Sequence, residues 1–217
     1  MQLPSWWRGA KARWRDATRW VVLDVETTGL DRQRCQLLAV AALAVHRDGS
    51  RLRIHASDSF EVGLHHVSAG PVDKGNILLH HIGLAEQRRG IDAATALNAF
   101  VQWVDSAPLF GFHVQFDRDV LLRVGRQVRA AGLQGPWIDL APLVSLSHPE
   151  VPARALDEWL QHFDIDCAQR HQAAADVWST AELLLRLWPA LVAQQADHPK
   201  AMLGLIEQRR WLERSSR

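Results

Sequence analysis

Apolar residues fall in short blocks whose spacing changes along the chain. Residues 20–25, Trp-Val-Val-Leu-Asp-Val, form an apolar run broken by one carboxylate and read as a strand. Gly29-Leu30-Asp31 supplies a turn, and residues 36–46 read as a second apolar strand. Asp48-Gly49 is a hairpin signal leading into a third strand that starts at Arg51 and reaches Ile54 or further. Residues 71–75 read as a loop. Ala93, Leu97, Phe100, Val101 and Val104 recur at helical spacing and predict a helix over 92–104, ended by Pro108.

Residues 109–112 then read as a buried fourth strand. Val120, Leu121, Val124 and Val128 share one face of a helix predicted over 118–130, followed by a brief strand at 137–140. Further helices are expected at 155–162, at 174–187 with Pro189 closing it, and at 200–213. Trp6, Ala10 and Trp14 also recur at helical spacing, so the first 20 residues read as a basic, Trp-rich helix. Packing of its Trp face on the domain is the simpler use of such a helix. A partner-docking or nucleic-acid-contacting arm is the other.

Three antiparallel-looking strands followed by strand–helix alternation predict an α/β fold with a mixed sheet. No repeat, low-complexity tract or linker divides the chain. We read one domain over 20–217, preceded by an extension over 1–19.

Composition narrows the functional classes. The chain has 217 residues, 47% apolar and 23% charged, with net charge +1, as expected of a globular domain with a sizeable core. Residues 1–20 hold five bases against Asp16, which leaves the rest of the chain at about −3. Bulk attraction of a polyanion is therefore excluded, and any nucleic-acid contact must be local or metal-assisted. Two cysteines, Cys35 and Cys167, are too few for a disulfide framework and fit a reducing compartment. No apolar run reaches the roughly 20 residues of a membrane span. The N-terminus lacks the order of a signal peptide. We therefore expect a cytoplasmic protein without a membrane partner. There are ten Trp and no Tyr, so phenol chemistry is absent.

Asp24 and Glu26 lie two apart on the first strand and so emerge on one face. Two like charges on a buried strand repel, and a divalent cation is the simplest remedy. The alternative is a strand that stops at Leu23, with Asp24 capping the turn.

The run Asp24-Val25-Glu26-Thr27-Thr28-Gly29-Leu30-Asp31 resembles the first motif of the DEDDh, or DnaQ-like, 3′–5′ exonucleases. Later stretches follow in that family's order. Leu79-His80-His81-Ile82 is similar to its Ile-His-Gly-Ile segment. Gly111-Phe112-His113-Val114-Gln115-Phe116-Asp117 resembles the second motif, with Phe112-His113 standing where His-Asn is usual. His171 followed by Asp176 resembles the third, and Trp137-Ile138-Asp139-Leu140 looks like the family's strand carrying an Asp.

The resemblance implies an RNase H-like fold in which Asp24, Glu26, Asp117 and Asp176 hold two Mg²⁺ or Mn²⁺ ions. Four carboxylates suit such hard cations. His171 is implied as the general base, and an imidazole is well matched to taking a proton from water at neutral pH. It belongs on the loop before the Asp176 helix, because five helical positions would turn the two side chains about 140° apart. A sister group places Tyr there, which this chain lacks. Read without the resemblance, Asp117 is an N-cap and Asp176 a solvated first-turn acid. Thr27, Thr28, Gly29 and Leu30 follow the ligand pair and are candidates for substrate contact, as are Phe112 and Phe116 by stacking on a base. Core packing is the competing role for all six.

The implied activity is removal of nucleotides from the 3′ end of DNA or RNA as nucleoside 5′-monophosphates by a two-metal mechanism. The implied partner is a nucleic acid with a free 3′ end, and proofreading would require a polymerase or other protein beside it. A nucleotide phosphohydrolase and a weakly active binding module are the alternatives.

Overall fold

A computed structural model describes residues 14, 16–66, 82, 84–168 and 172–215. Its centre is a five-stranded sheet built from β1 (Arg19–Thr27), β2 (Leu37–Asp48), β3 (Arg51–Gly63), β4 (Leu109–Gly111) and β5 (Trp137–Asp139). Strand order is β3-β2-β1-β4-β5. The β1–β2 and β2–β3 pairs are antiparallel, whereas β4 and β5 join β1 in parallel. The expected α/β mixed sheet is present. Around it lie α1 (Leu84–Arg89), α2 (Ala93–Val104), α3 (Gln115–Gln127), α4 (Leu140–Ser147), α5 (Leu156–His162), α6 (Ala173–Ala193) and α7 (Pro199–Ser215). None of the described helices is long and apolar enough to cross a membrane.

Strand alternation divides β1 between two cores. Trp20 and Val22 pack with Phe110, Ile138 and residues of α4, α5, α6 and α7. Val21, Leu23 and Val25 pack on the other face with Leu97, Phe100 and Val104 of α2 and Val120, Leu121 and Val124 of α3. A strand covered on both sides has no reason to alternate with polar residues, which explains its nearly continuous apolar run. Asp24 and Glu26 continue the face of Trp20 and Val22, the one that α6 covers.

Several boundaries differ from the sequence reading. The first strand, read as 20–25, runs from Arg19 through Thr27, which sets aside the alternative of a strand that stops at Leu23. The third extends to Gly63. α3 begins at Gln115 instead of 118, because the turn at His113, which has φ of 56°, starts helical bonding early: Phe116 N–H donates to His113 O and Arg118 N–H to Val114 O. Asp117 is thus inside the first helical turn, not ahead of it. α1 and α4 were not predicted. Asp139 accepts a bond from Ala141 N–H at 3.1 Å and caps α4, whose first turn tolerates Pro142.

α6 runs through Pro189 to Ala193. An interior proline costs about 3 kcal/mol, but Leu187, Trp188 and Leu191 around it are buried, and Trp188 Nε1 donates to Ser50 O at 2.7 Å. Packing against the β2–β3 hairpin outweighs the missing backbone bond. The expected loop at 71–75 and the stretch 79–81 lie outside the described residues, as do 1–13 and 15 of the helix expected over the first 20. Trp14 is helical, but 16–18 are not, and Arg19 and Trp20 belong to β1 because they pair with His46 and Val45 of β2.

Candidate active site

The site gathers at the end of β1 where β1, β4 and β5 all finish, the edge at which open α/β sheets receive ligands. Asp24 and Glu26 reach toward α6, whose first turn carries Asp176. Carboxylate oxygens of these three residues all lie within 4.8 Å of one another. Glu26 is 4% exposed and Asp176 7%, while Asp24 opens partly to solvent. A first-turn acid on an exposed helix would face water; this one faces two other acids across a packed interface.

Asp117 approaches from α3 on the opposite side of the sheet. Its Oδ1 accepts a hydrogen bond from Val25 N–H at 3.2 Å, between the two ligand positions of β1. It is 5% exposed, and burial is the main cause that pushes its carboxyl up to about 8, with Asp139 and Glu26 adding repulsion. Asp117 therefore stands beside the three-acid cluster rather than within it. Asp119, two residues on, points away and pairs with Arg32 at 2.8 Å. Burial thus separates two acids that sequence alone could confuse.

Gly111 ends β4 under tight constraint, since a Cβ there would lie 2.8 Å from Val114 Cγ2 and 3.2 Å from Leu23 O. The next residues turn sharply. His113, in the left-handed region where His and Asn are enriched, donates its N–H to Asp139 Oδ1 at 2.9 Å. A residue tolerant of that conformation is what the turn demands, which gives His113 a backbone role where Asn is usual. Phe112 and Phe116 are both half-buried and pack against the two different cores.

Thr27 is buried and donates its hydroxyl to Gly29 O at 2.8 Å, while Thr28 Oγ1 accepts from Gln36 N–H at 2.9 Å. These bonds shape the loop after β1. Gly29 faces open space within 4 Å of a would-be Cβ, and Leu30 is 91% exposed, so both border solvent at the site. Arg123 of α3 clamps the same loop by donating to the carbonyls of Arg32 and Cys35.

His171 lies outside the described residues; α6 itself begins at Ala173. Two residues near the acids were missed as neighbours in the sequence reading. Asp139 is buried enough to have its carboxyl raised, and it accepts bonds from His113 and Ala141 N–H. Its place at the end of a strand was the available signal. Cys167 Sγ lies 3.6 Å from Asp176 Oδ1, a contact that no spacing rule foretells.

The donor set fits a divalent cation. It is all carboxylate oxygen, it is largely buried, and the repulsion among its members is what a cation relieves.

The family described as Exonuclease (RNase T) matches residues 21–184. The DNA polymerase III PolC-type protein of Lacticaseibacillus paracasei is 28% identical over 185 residues, which is 85% of this chain and 12% of that protein. The PolC-type protein of Bacillus subtilis is 27% identical over 77% of this chain and 11% of its own length. The chain thus spans about an eighth of these relatives' length. Among solved structures, E. coli Exonuclease I in complex with a dT13 oligonucleotide superposes with a TM-score of 0.69 at 15% identity, covering 82% of this chain and 42% of that one. Cell-death related nuclease 4 gives 0.66 at 14% identity, covering 83% and 66%. These likenesses bear out the expected RNase H-like architecture.

Proposed function

The chain belongs to the exonuclease family, and on that premise we propose that it is a metal-dependent 3′–5′ exonuclease acting on DNA or RNA and releasing nucleoside 5′-monophosphates. The observation that carries this reading is the meeting of Asp24, Glu26 and Asp176 oxygens within 4.8 Å at the end of β1.

In this reading Asp24, Glu26 and Asp176 hold Mg²⁺ or Mn²⁺, with Asp117 as the fourth carboxylate at the margin. When bound, two such ions supply Lewis-acid activation of water and charge stabilisation of the leaving oxygen. Burial of Glu26, Asp117 and Asp176 excludes bulk water, which strengthens every charge interaction there. Asp117, tied to Val25 N–H, fixes α3 against the strand that carries the first two acids. His171 takes the proton of the attacking water, a step suited to imidazole at neutral pH. Thr27, Thr28, Gly29 and Leu30 receive the 3′-terminal nucleotide, with exposed Leu30 offering an apolar surface to its base. Phe112 and Phe116 support the site from the core side.

The likeness to part of PolC-type polymerases supports work beside a polymerase in a reducing, cytoplasmic setting. An oligonucleotide labelled on its 3′-terminal nucleotide tests the reaction. We expect the label to appear at once as a mononucleotide, only with Mg²⁺ or Mn²⁺. Release of internal fragments, or hydrolysis confined to free mononucleotides, would contradict the reading and favour another phosphohydrolase.

A further inference from the structure

Beyond the carboxylates, a cavity of about 420 Å³ opens where the start of α4, the loop before α5 and α7 meet. Arg154, Arg209 and Arg210 line it, together with Ser145, His113 and Asp139. Three arginines and one acid thus line it, and the charge of Arg154 also reaches Glu158. The Asp139 carboxylate already accepts bonds from His113 and Ala141 N–H, and the charge of Arg210 reaches it. Among the described residues no ion pair joins Arg154 or Arg210 to an acid. The body of the chain has a net negative balance, so a local cationic hollow is not a by-product of composition.

Its position gives it a use. Asp139 ends β5, two strands from β1 across β4, which at about 4.8 Å per strand puts it roughly 10 Å from the β1 acids along the same sheet edge. Asp139 also adds to the repulsion felt by Asp117, so cavity and acid cluster are neighbours. The volume lies in the range that admits a nucleotide-sized group. Guanidinium forks match phosphate oxygens with paired hydrogen bonds, which a lysine cannot do.

We propose that this cavity is a phosphodiester subsite. Arg154 and Arg210 grip a backbone phosphate of the polynucleotide whose 3′ end lies at the carboxylates. It rests on the exonuclease reading for the identity of the strand, but it predicts binding that can be measured apart from turnover. The grip sets strand register and affinity without reading sequence.

The test compares wild type with Arg154→Ala/Arg210→Ala and with Arg154→Lys/Arg210→Lys. Binding of a fluorescent single-stranded oligonucleotide with a non-hydrolysable 3′ linkage is measured against salt, with inorganic phosphate as a second ligand. For the alanine variant we expect affinity to fall at least about tenfold. The slope of log affinity on log salt should shrink by about 0.7 for each phosphate no longer neutralised. The lysine variant should keep most of the slope but bind more weakly, and all three proteins should share a thermal midpoint. KM for an oligonucleotide should rise with little change in kcat.

An unchanged slope and affinity in the alanine variant would overturn the subsite. So would phosphate competing equally with the oligonucleotide in all three proteins, since the cavity would then play no part. Wild type that binds in this arginine-dependent way but never cleaves would instead overturn the exonuclease reading and leave the subsite standing.

Discussion

Asp117 Oδ1 accepts the backbone N–H of Val25 at 3.2 Å, so the helix on one face of the sheet is fastened to the strand between two acids that face the other way. This bond holds a buried carboxyl where burial and neighbouring acids oppose its charge.

A pH dependence of the metal-free protein follows. Asp117 is raised in the fold to about 8 from an ordinary 3.8, so between these values the folded state binds the proton more tightly than the unfolded chain. Stability contributed by the protonated form is present below about 4 and fades as pH climbs toward 8. With chelator present, the thermal midpoint should fall across this window by several degrees, about 2–4 °C per kcal/mol for a chain of this size. Asp117→Asn should flatten the fall, and Mn²⁺ should restore the midpoint at pH 8. A midpoint that rises steadily from pH 4 to 8 in chelator would contradict this linkage.

Cys167 offers a chemical probe of the acid cluster, because its sulfur lies 3.6 Å from Asp176 Oδ1. Alkylation by iodoacetamide should block the site, and Mn²⁺ should slow that alkylation. Cys167→Ser should keep activity within about threefold and resist the reagent, since serine preserves a donor of similar reach. Mass spectrometry of the modified chain, read alongside activity, checks both halves.

The loop after β1 should depend on Arg123 more than on Arg32. Arg123 satisfies two carbonyls, whereas Arg32 makes an exposed ion pair with Asp119. Arg123→Ala should cost about 2 kcal/mol and raise KM as the loop loosens. Arg32→Ala should cost under about 1 kcal/mol. Urea melts and steady-state kinetics on both variants separate the two.

How far the fold was legible depended on where neighbours decide. β1 was readable because a strand covered on both faces must be apolar nearly throughout, and its two acids stood out against that run. The end of α6 was not, because Pro189 is a stop signal by itself and is overruled only by Trp188 and Leu191 packing on distant residues. α3 began early for a similarly hidden reason, the positive φ at His113. Among the site residues, the convergence of Asp24 with Glu26 followed from period-two geometry. Asp176 was placed with them by the family resemblance alone, because its position in a first helical turn reads as a solvated acid, and the position of Asp117 beside rather than inside that cluster needed the chain's path. Asp139 and Cys167 reach the site only through tertiary packing.

Asp24→Asn provides the most direct measurement, because it removes one charge from the three-acid cluster while keeping the side chain's shape. Wild type and variant are compared for release of a 3′-terminal label across a Mn²⁺ titration at pH 7, with His171→Ala alongside. We predict that chelator abolishes wild-type activity, that Asp24→Asn loses more than about 100-fold, and that His171→Ala loses about 10²–10⁴-fold, all with folded protein by thermal melt. Asp24→Asn releasing the label at the wild-type rate, at the same Mn²⁺ concentration, would contradict the assignment of this cluster as the catalytic metal site.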